Sequence, residues 1–141
     1  MLAPARLILV HKQRTSAMAR FVRFPHGIVA AQPLPKLAEL MGEDEQIEEQ
    51  AVVTHPAVLV KSVADLLGLS GDDIALEGGF RAHVDTPEGT ALVYLGSLTS
   101  IDPPFEAAER SGARFIAITG ARDLPPAELG LLRRVYECVM E

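Results

Sequence analysis

The stretch that most limits what this chain can fold into runs from Asp73 to Ser100. From Ile74 to Asp85 the residues alternate, with Ile74, Leu76, Gly78, Phe80, Ala82 and Val84 interleaved by Ala75, Glu77, Gly79, Arg81, His83 and Asp85. Successive side chains of a strand point to opposite faces, so this period predicts one long half-buried strand. Thr86-Pro87-Glu88-Gly89-Thr90 supplies turn chemistry. Proline presets φ at the first corner, and glycine can take the left-handed position that closes the loop. Ala91 to about Ser100 returns as the partner strand. A three-residue loop places Thr86 opposite Thr90, Val84 opposite Leu92, Ala82 opposite Tyr94 and Phe80 opposite Gly96. One face is then apolar throughout. A two- or four-residue loop sets His83 against Leu92 and Arg81 against Tyr94, so the three-residue loop is the expectation.

On that register the second face pairs His83 with Val93 and Arg81 with Leu95, half polar and half apolar. A face of this kind is expected to be covered, in part by a second copy of the chain. Val93 and Leu95 are the expected oligomer contact, and a homo-oligomer is the expected state.

The 141 residues predict one domain, 1–141, and the 48% apolar content is enough for a real core. A single cysteine, Cys138, gives neither a disulfide framework nor a thiolate metal cage. It suits a reducing compartment, and a cytoplasmic location is expected. No apolar run approaches the ~20 residues that span a bilayer, so no membrane association is expected. Leu7-Ile8-Leu9-Val10 is too short for a secretory signal.

The net charge of −6 hides an asymmetry. Up to Ala38 lie six basic residues (Arg6, Lys12, Arg14, Arg20, Arg23 and Lys36) and no acidic one; the remaining seven basic and all nineteen acidic residues follow. The favoured reading packs the positive head against the negative body. The alternatives are a leader or a start at Met18, and an arm for an anionic partner. Residues 1–24 are thus a basic segment with some flexibility expected. Phe21 and Phe24, interleaved with Arg20 and Arg23, could stack on single-stranded nucleic acid. The acidic body opposes a polyanion, so a nucleic-acid partner is disfavoured.

Elsewhere, short strands are expected at Ala5–His11, Arg20–Phe24 and Ala51–Thr54. Leu34–Met41 has helical spacing. Glu43 to Glu49 reads as a solvated acidic run. Pro56–Leu67 reads as a helix with Leu59, Val63, Leu66 and Leu67 buried and Gly68 as its left-handed cap. Asp102-Pro103-Pro104 opens a helix to about Ser111, Arg114–Thr119 reads as a strand, and Pro125-Pro126 starts a helix to about Met140 with Leu129, Leu132, Tyr136 and Val139 as its docking stripe. The order predicts an α+β ferredoxin-like βαββαβ sandwich with an extra C-terminal helix, the helices covering the sheet face that carries Phe80 and Tyr94. The alternative is another mixed α+β sheet with helices on one face.

For chemistry, the first candidate ligand site is Glu77, Arg81, His83 and Asp85. Alternate strand residues share a face, and a carboxylate beside a histidine can orient it as a base or a metal ligand. The second candidate, Thr119 to Asp123, joins a strand to a helix where anions often bind, but Pro125 and Pro126 remove donors and Asp123 repels. His11, His26 and His55 are scattered, and Cys138 reads as a small buried hydrophobe. No cofactor, metal or catalytic residue is expected. The leading expectation is a small non-catalytic interaction or accessory module with a homo-oligomeric or other protein partner. The alternatives are a small-ligand or metal-binding regulatory domain, and a small enzyme using His83 with Asp85 or Glu77.

Overall fold

Strand β1 (Arg6–Lys12) is the middle of the molecule, and its composition explains why. Leu7, Ile8, Leu9 and Val10 are apolar on both faces, and none is more than 1% exposed. Only a strand covered twice can bury such a run, at roughly 1.5–3 kcal/mol of stabilisation for each large side chain. The computed structural model, which describes residues 4–13, 16–42 and 56–140, shows both covers.

The remaining strands are β2 (Ala19–Arg23), β3 (Val29–Ala30), β4 (Glu39–Leu40), β5 (Ile74–Leu76), β6 (Ala82–Thr86), β7 (Gly89–Leu98) and β8 (Arg114–Ile116); the helices are α1 (Pro56–Leu67), α2 (Phe105–Arg110) and α3 (Pro126–Met140). The fold is mixed α+β, an open mixed sheet with three helices among the described residues. The sheet runs β4-β6-β7-β1-β2-β8, with β3 also on β1 and β5 also on β7. Among the described strands only β1 and β7 pair in parallel; every other pairing is antiparallel. This is not the expected βαββαβ order. Strands β7 and β8, joined through α2, do point the same way, but β1 and β2 lie between them.

Alternation along β1 divides the core. Ile8 and Val10 join Val84, Val93 and Leu95 beneath Leu131, Leu132 and Val135 of α3. Leu7 and Leu9 join Ile74 and Tyr94 beneath Val60, Val63, Ala64 and Leu67 of α1 and Ala108 of α2. The helices therefore lie on both faces, not on one.

The hairpin differs from its expected form in two places. The turn is a two-residue loop, with Thr86 opposite Gly89, Val84 opposite Ala91 and Ala82 opposite Val93. The Thr86 hydroxyl accepts from Glu88 N–H at 3.1 Å and donates to the Gly89 carbonyl at 2.6 Å, so it braces the corner itself. Moreover, the first strand is broken. Ile74 pairs with Leu98, whereas Ala82 pairs with Val93. Residues 77–81, around Gly78-Gly79, lie opposite only Tyr94 and Leu95, so one strand carries three extra residues. An odd insertion reverses which face each parity meets. Ile74 therefore packs under α1 while Ala82 and Val84 pack under α3, and Phe80 and Tyr94 end on opposite faces. The alternation is real along the chain but does not mark a single sheet face.

Other expectations divide likewise. Helix α1 spans the expected residues, and Gly68 closes it at φ +69°. In its stripe Val60 and Ala64 are buried while Leu66 is 48% exposed. In α3 the buried row is Ala127, Glu128, Leu131, Leu132 and Val135, with Leu129, Tyr136 and Val139 at its margins. Residues 34–41 are not a helix. Pro35 restricts Leu34, an Ala38-to-Pro35 turn follows, and Glu39–Leu40 joins β6 as an edge strand. The expected strand at 51–54 and the acidic run at 43–49 lie outside the described residues.

The basic head is not a detachable arm, because β1 and β2 come from it. Arg6 is buried and donates to the carbonyls of Pro4, Gln32 and Pro33. Lys12 donates to the Val139 carbonyl in the last turn of α3, where a cation suits the helix end. Of the described head cations, Arg23 alone forms an ion pair with the body, to Asp123. Phe21 and Phe24 are buried core residues and offer no ring to a base.

Candidate functional site

The residues singled out on the hairpin do not form one site. Arg81, His83 and Asp85 share the face of Tyr94, Leu92 and Thr90. Arg81 is exposed and lays its guanidinium over the Tyr94 ring, Cζ 5.9 Å from the centroid. The pairing that counted against this register is thus a favourable cation–π contact. Glu77 is the first residue of the inserted stretch and accepts from Ser97 Oγ at 2.8 Å, on the opposite face from Tyr94 and Leu92. Val93 and Leu95 are both 0% exposed, enclosed beneath α3 of their own chain. The surface expected to meet a second chain is therefore internal, a direct result of the altered register. Cys138 is exposed rather than buried. Among the described residues no three His, Cys, Asp or Glu side chains gather as a metal ion needs, and no helix is long and apolar enough to cross a membrane.

Two polar clusters that sequence reasoning missed lie at opposite ends of the sheet. The first joins the β2–β3 turn to the start of α3. Phe24 and Gly27 exchange backbone hydrogen bonds of 2.7 and 3.1 Å, closing a tight turn. Ile28 N–H then donates to Glu128 Oε1 at 2.9 Å. Glu128, only 5% exposed, lies so close that a Cβ on Gly27 would stand 1.9 Å from Oε1, and Gly27 has φ +138°. Burial pushes the Glu128 carboxyl above its ordinary value, against the opposing effects of the Ile28 N–H, His26 and Arg23. Nearby, Arg23 donates to both oxygens of Asp123 at 2.8 and 2.7 Å. That forked bond raises the Arg23 pKa and holds Asp123 down to about 2. His26 is bonded to the Val29 carbonyl at 2.6 Å and stacks on Phe24. The polar groups here have partners, and the cluster fastens α3 to the sheet. The second sequence candidate, Thr119 to Asp123, is thus a short 3-10 turn whose Asp123 belongs to this fastening.

The second cluster sits at the C-terminal ends of β1 and β7. His11, 1% exposed, uses Nε2 on the Ser100 carbonyl at 2.8 Å. A carbonyl only accepts, so Nε2 is the donor in this bond. Nδ1 is buried and has no hydrogen-bond partner among the described residues. This bond anchors the corner after β7, where Ser100 Oγ also donates to the Asp102 carbonyl at 2.7 Å. Gln13 donates to Asp102 Oδ1 at 3.3 Å and accepts from Arg20 at 3.5 Å. Arg20 lies opposite His11 across the strand pair, its Cζ 5.9 Å from the Phe105 ring centroid. Around this polar group three large apolar residues face outward: Ile101 is 88%, Phe105 48% and Met18 43% exposed. Arg20 and Asp102 form no ion pair among the described residues. No single signal in the sequence draws these residues together, because they come from three separate stretches.

No family model matches this sequence, and neither does any curated protein. The reading of function therefore rests on the geometry alone.

Proposed function

We propose that the protein is a small non-catalytic interaction module that pairs with a second copy of itself through the edge formed by Arg20, Ile101, Asp102 and Phe105. One observation carries the reading: a cation and an anion, neither ion-paired within the described chain, flank exposed Ile101 and Phe105. Arginine and aromatic side chains are the usual energetic anchors of interfaces. In a two-fold pair the same patch meets itself, so residue i of one copy meets j of the other and j meets i. A patch with one positive and one negative member is self-complementary under that operation. The single exposed Cys138 suits work in a reducing compartment such as the cytoplasm.

Sedimentation of the full chain over a micromolar range tests this. The wild type should sediment as a dimer, and Arg20→Glu or Asp102→Lys alone should dissociate it. The double reversal R20E/D102K should restore the pair, because each charge again meets its opposite. A wild type that stays monomeric at the highest concentration, or a double reversal no better than either single change, rejects the reading.

A further inference from the structure

A groove on the outer side of α1 has no part in the proposed pairing edge. It runs between α1 and β5, is lined by Val60, Lys61, Asp65, Leu69, Ile74 and Leu76 among others, and encloses about 490 Å³. That volume lies within the range of small-molecule sites, about 300–1,000 Å³. Val60 and Ile74 form the floor, and Leu76, 42% exposed, forms an apolar lip. The wall at Ser70-Gly71 is held in place: Asp72 N–H donates to Ser70 Oγ at 3.3 Å, and Ser70 N–H donates to Asp73 Oδ2 at 2.9 Å. The groove is therefore preformed rather than made by a movable loop.

Its charged members decide the ligand class. Lys61 and Asp65 are one turn apart on α1, about 6 Å along the axis, yet they form no ion pair with each other or with any other described residue. A helical pair with the lysine N-terminal to the acid is the weaker order. An ammonium and a carboxylate thus stand side by side at the rim of an apolar floor. We infer that this groove binds an apolar α-amino acid, its side chain on Val60, Ile74 and Leu76, its carboxylate on Lys61 and its ammonium on Asp65. Neutral hydrocarbons leave the two rim charges unused, and a ligand with one charge uses only one of them.

The test is a methyl-detected NMR titration of the full chain with L-leucine, L-isoleucine and L-phenylalanine at millimolar concentration. Saturable shifts confined to Val60, Leu69, Ile74 and Leu76 are expected. Lys61→Ala and Asp65→Ala, both at exposed positions, should each weaken binding about tenfold, the loss expected for one charge-assisted contact. Glu106→Ala on α2 should leave it unchanged. Isocaproate, which lacks the amine, and isoamylamine, which lacks the carboxylate, should bind more weakly than leucine by a similar factor. No saturable shift with any amino acid overturns the inference, as does equal binding of leucine and isoamylamine. Self-association is read separately by sedimentation, so either idea can fail without the other.

Discussion

The two polar ends of the sheet are built from similar residues and arranged for opposite purposes. At the α3 end, Glu128 is buried with a donor on it, and Arg23 and Asp123 are paired with each other. At the other end, on the opposite face, His11 is buried with one nitrogen unpartnered, and Arg20 and Asp102 are not ion-paired, among the described residues. A buried polar group with its partners present fixes geometry, whereas one without them is a standing cost of about 1–3 kcal/mol. Burial and charge do not separate architecture from function in this protein. Whether each group is satisfied does, and that can be tested one end at a time.

The largest effect belongs to the satisfied end. Gly27→Ala puts a methyl 1.9 Å from Glu128 Oε1 on a backbone with φ +138°. Backbone strain and the broken buried bond together should destabilise the fold by about 3 kcal/mol or more. Gly68 gives the control, since its φ is +69° but nothing among the described residues lies within 4 Å of its missing Cβ. Gly68→Ala should cost only about 1–2 kcal/mol, the left-handed penalty alone. Equal urea midpoints for the two variants would mean that the contact between Gly27 and Glu128 does not fasten α3.

A smaller effect divides that end by pH, because its two carboxylates are shifted in opposite senses. Asp123, held down to about 2 from 3.8, adds stability that is complete above its ordinary value and is lost as pH falls from 3.8 toward 2. Glu128 is raised above 4.5, so its contribution favours the fold below that value and is lost as pH rises through the folded-state pKa. Asp123→Asn should therefore flatten the acid limb of a stability–pH curve. Glu128→Gln keeps an oxygen for Ile28 N–H and should flatten the decline above 4.5. Denaturant midpoints taken across both windows would expose a wrong assignment as a change on the wrong limb.

How much of this was legible in the sequence depended on whether the signal was local. The bounds of α1, its Gly68 cap and the proline-led starts of α2 and α3 could be read, because helix spacing and end chemistry act within a few residues. Register was not legible. The two-residue loop sets Val93 opposite Ala82, so Val93 and Leu95 belong to the core and not to the surface that a three-residue loop predicts. The insertion at 77–81 then flips the faces again, and Gly78 and Gly79 fit the alternation they interrupt. Both hydrophobic faces of β1 were equally open to reading, since Leu7 to Val10 has no polar member. The clusters at Glu128 and His11 join positions about a hundred residues apart, Ile28 to Glu128 and His11 to Ser100. No period or motif marks partners at that separation.

The smallest change in stability is expected at the unsatisfied end, and it is the sharpest test of the comparison. His11→Phe removes one hydrogen bond, that of Nε2 to the Ser100 carbonyl, worth about 0.5–1.5 kcal/mol net. It also removes the buried Nδ1, whose missing partner costs about 1–3 kcal/mol. The two nearly offset, so stability should stay within about 1 kcal/mol of wild type. Self-association should respond more strongly than stability, because the lost bond holds the corner that carries Ile101 and Asp102. Thermal denaturation and sedimentation of the same variant separate these responses. A variant that loses several kcal/mol would show that Nδ1 is satisfied in solution, and the contrast between the two ends would collapse. A variant that is stable and still fully dimeric would leave the contrast standing but would remove His11 from the pairing surface.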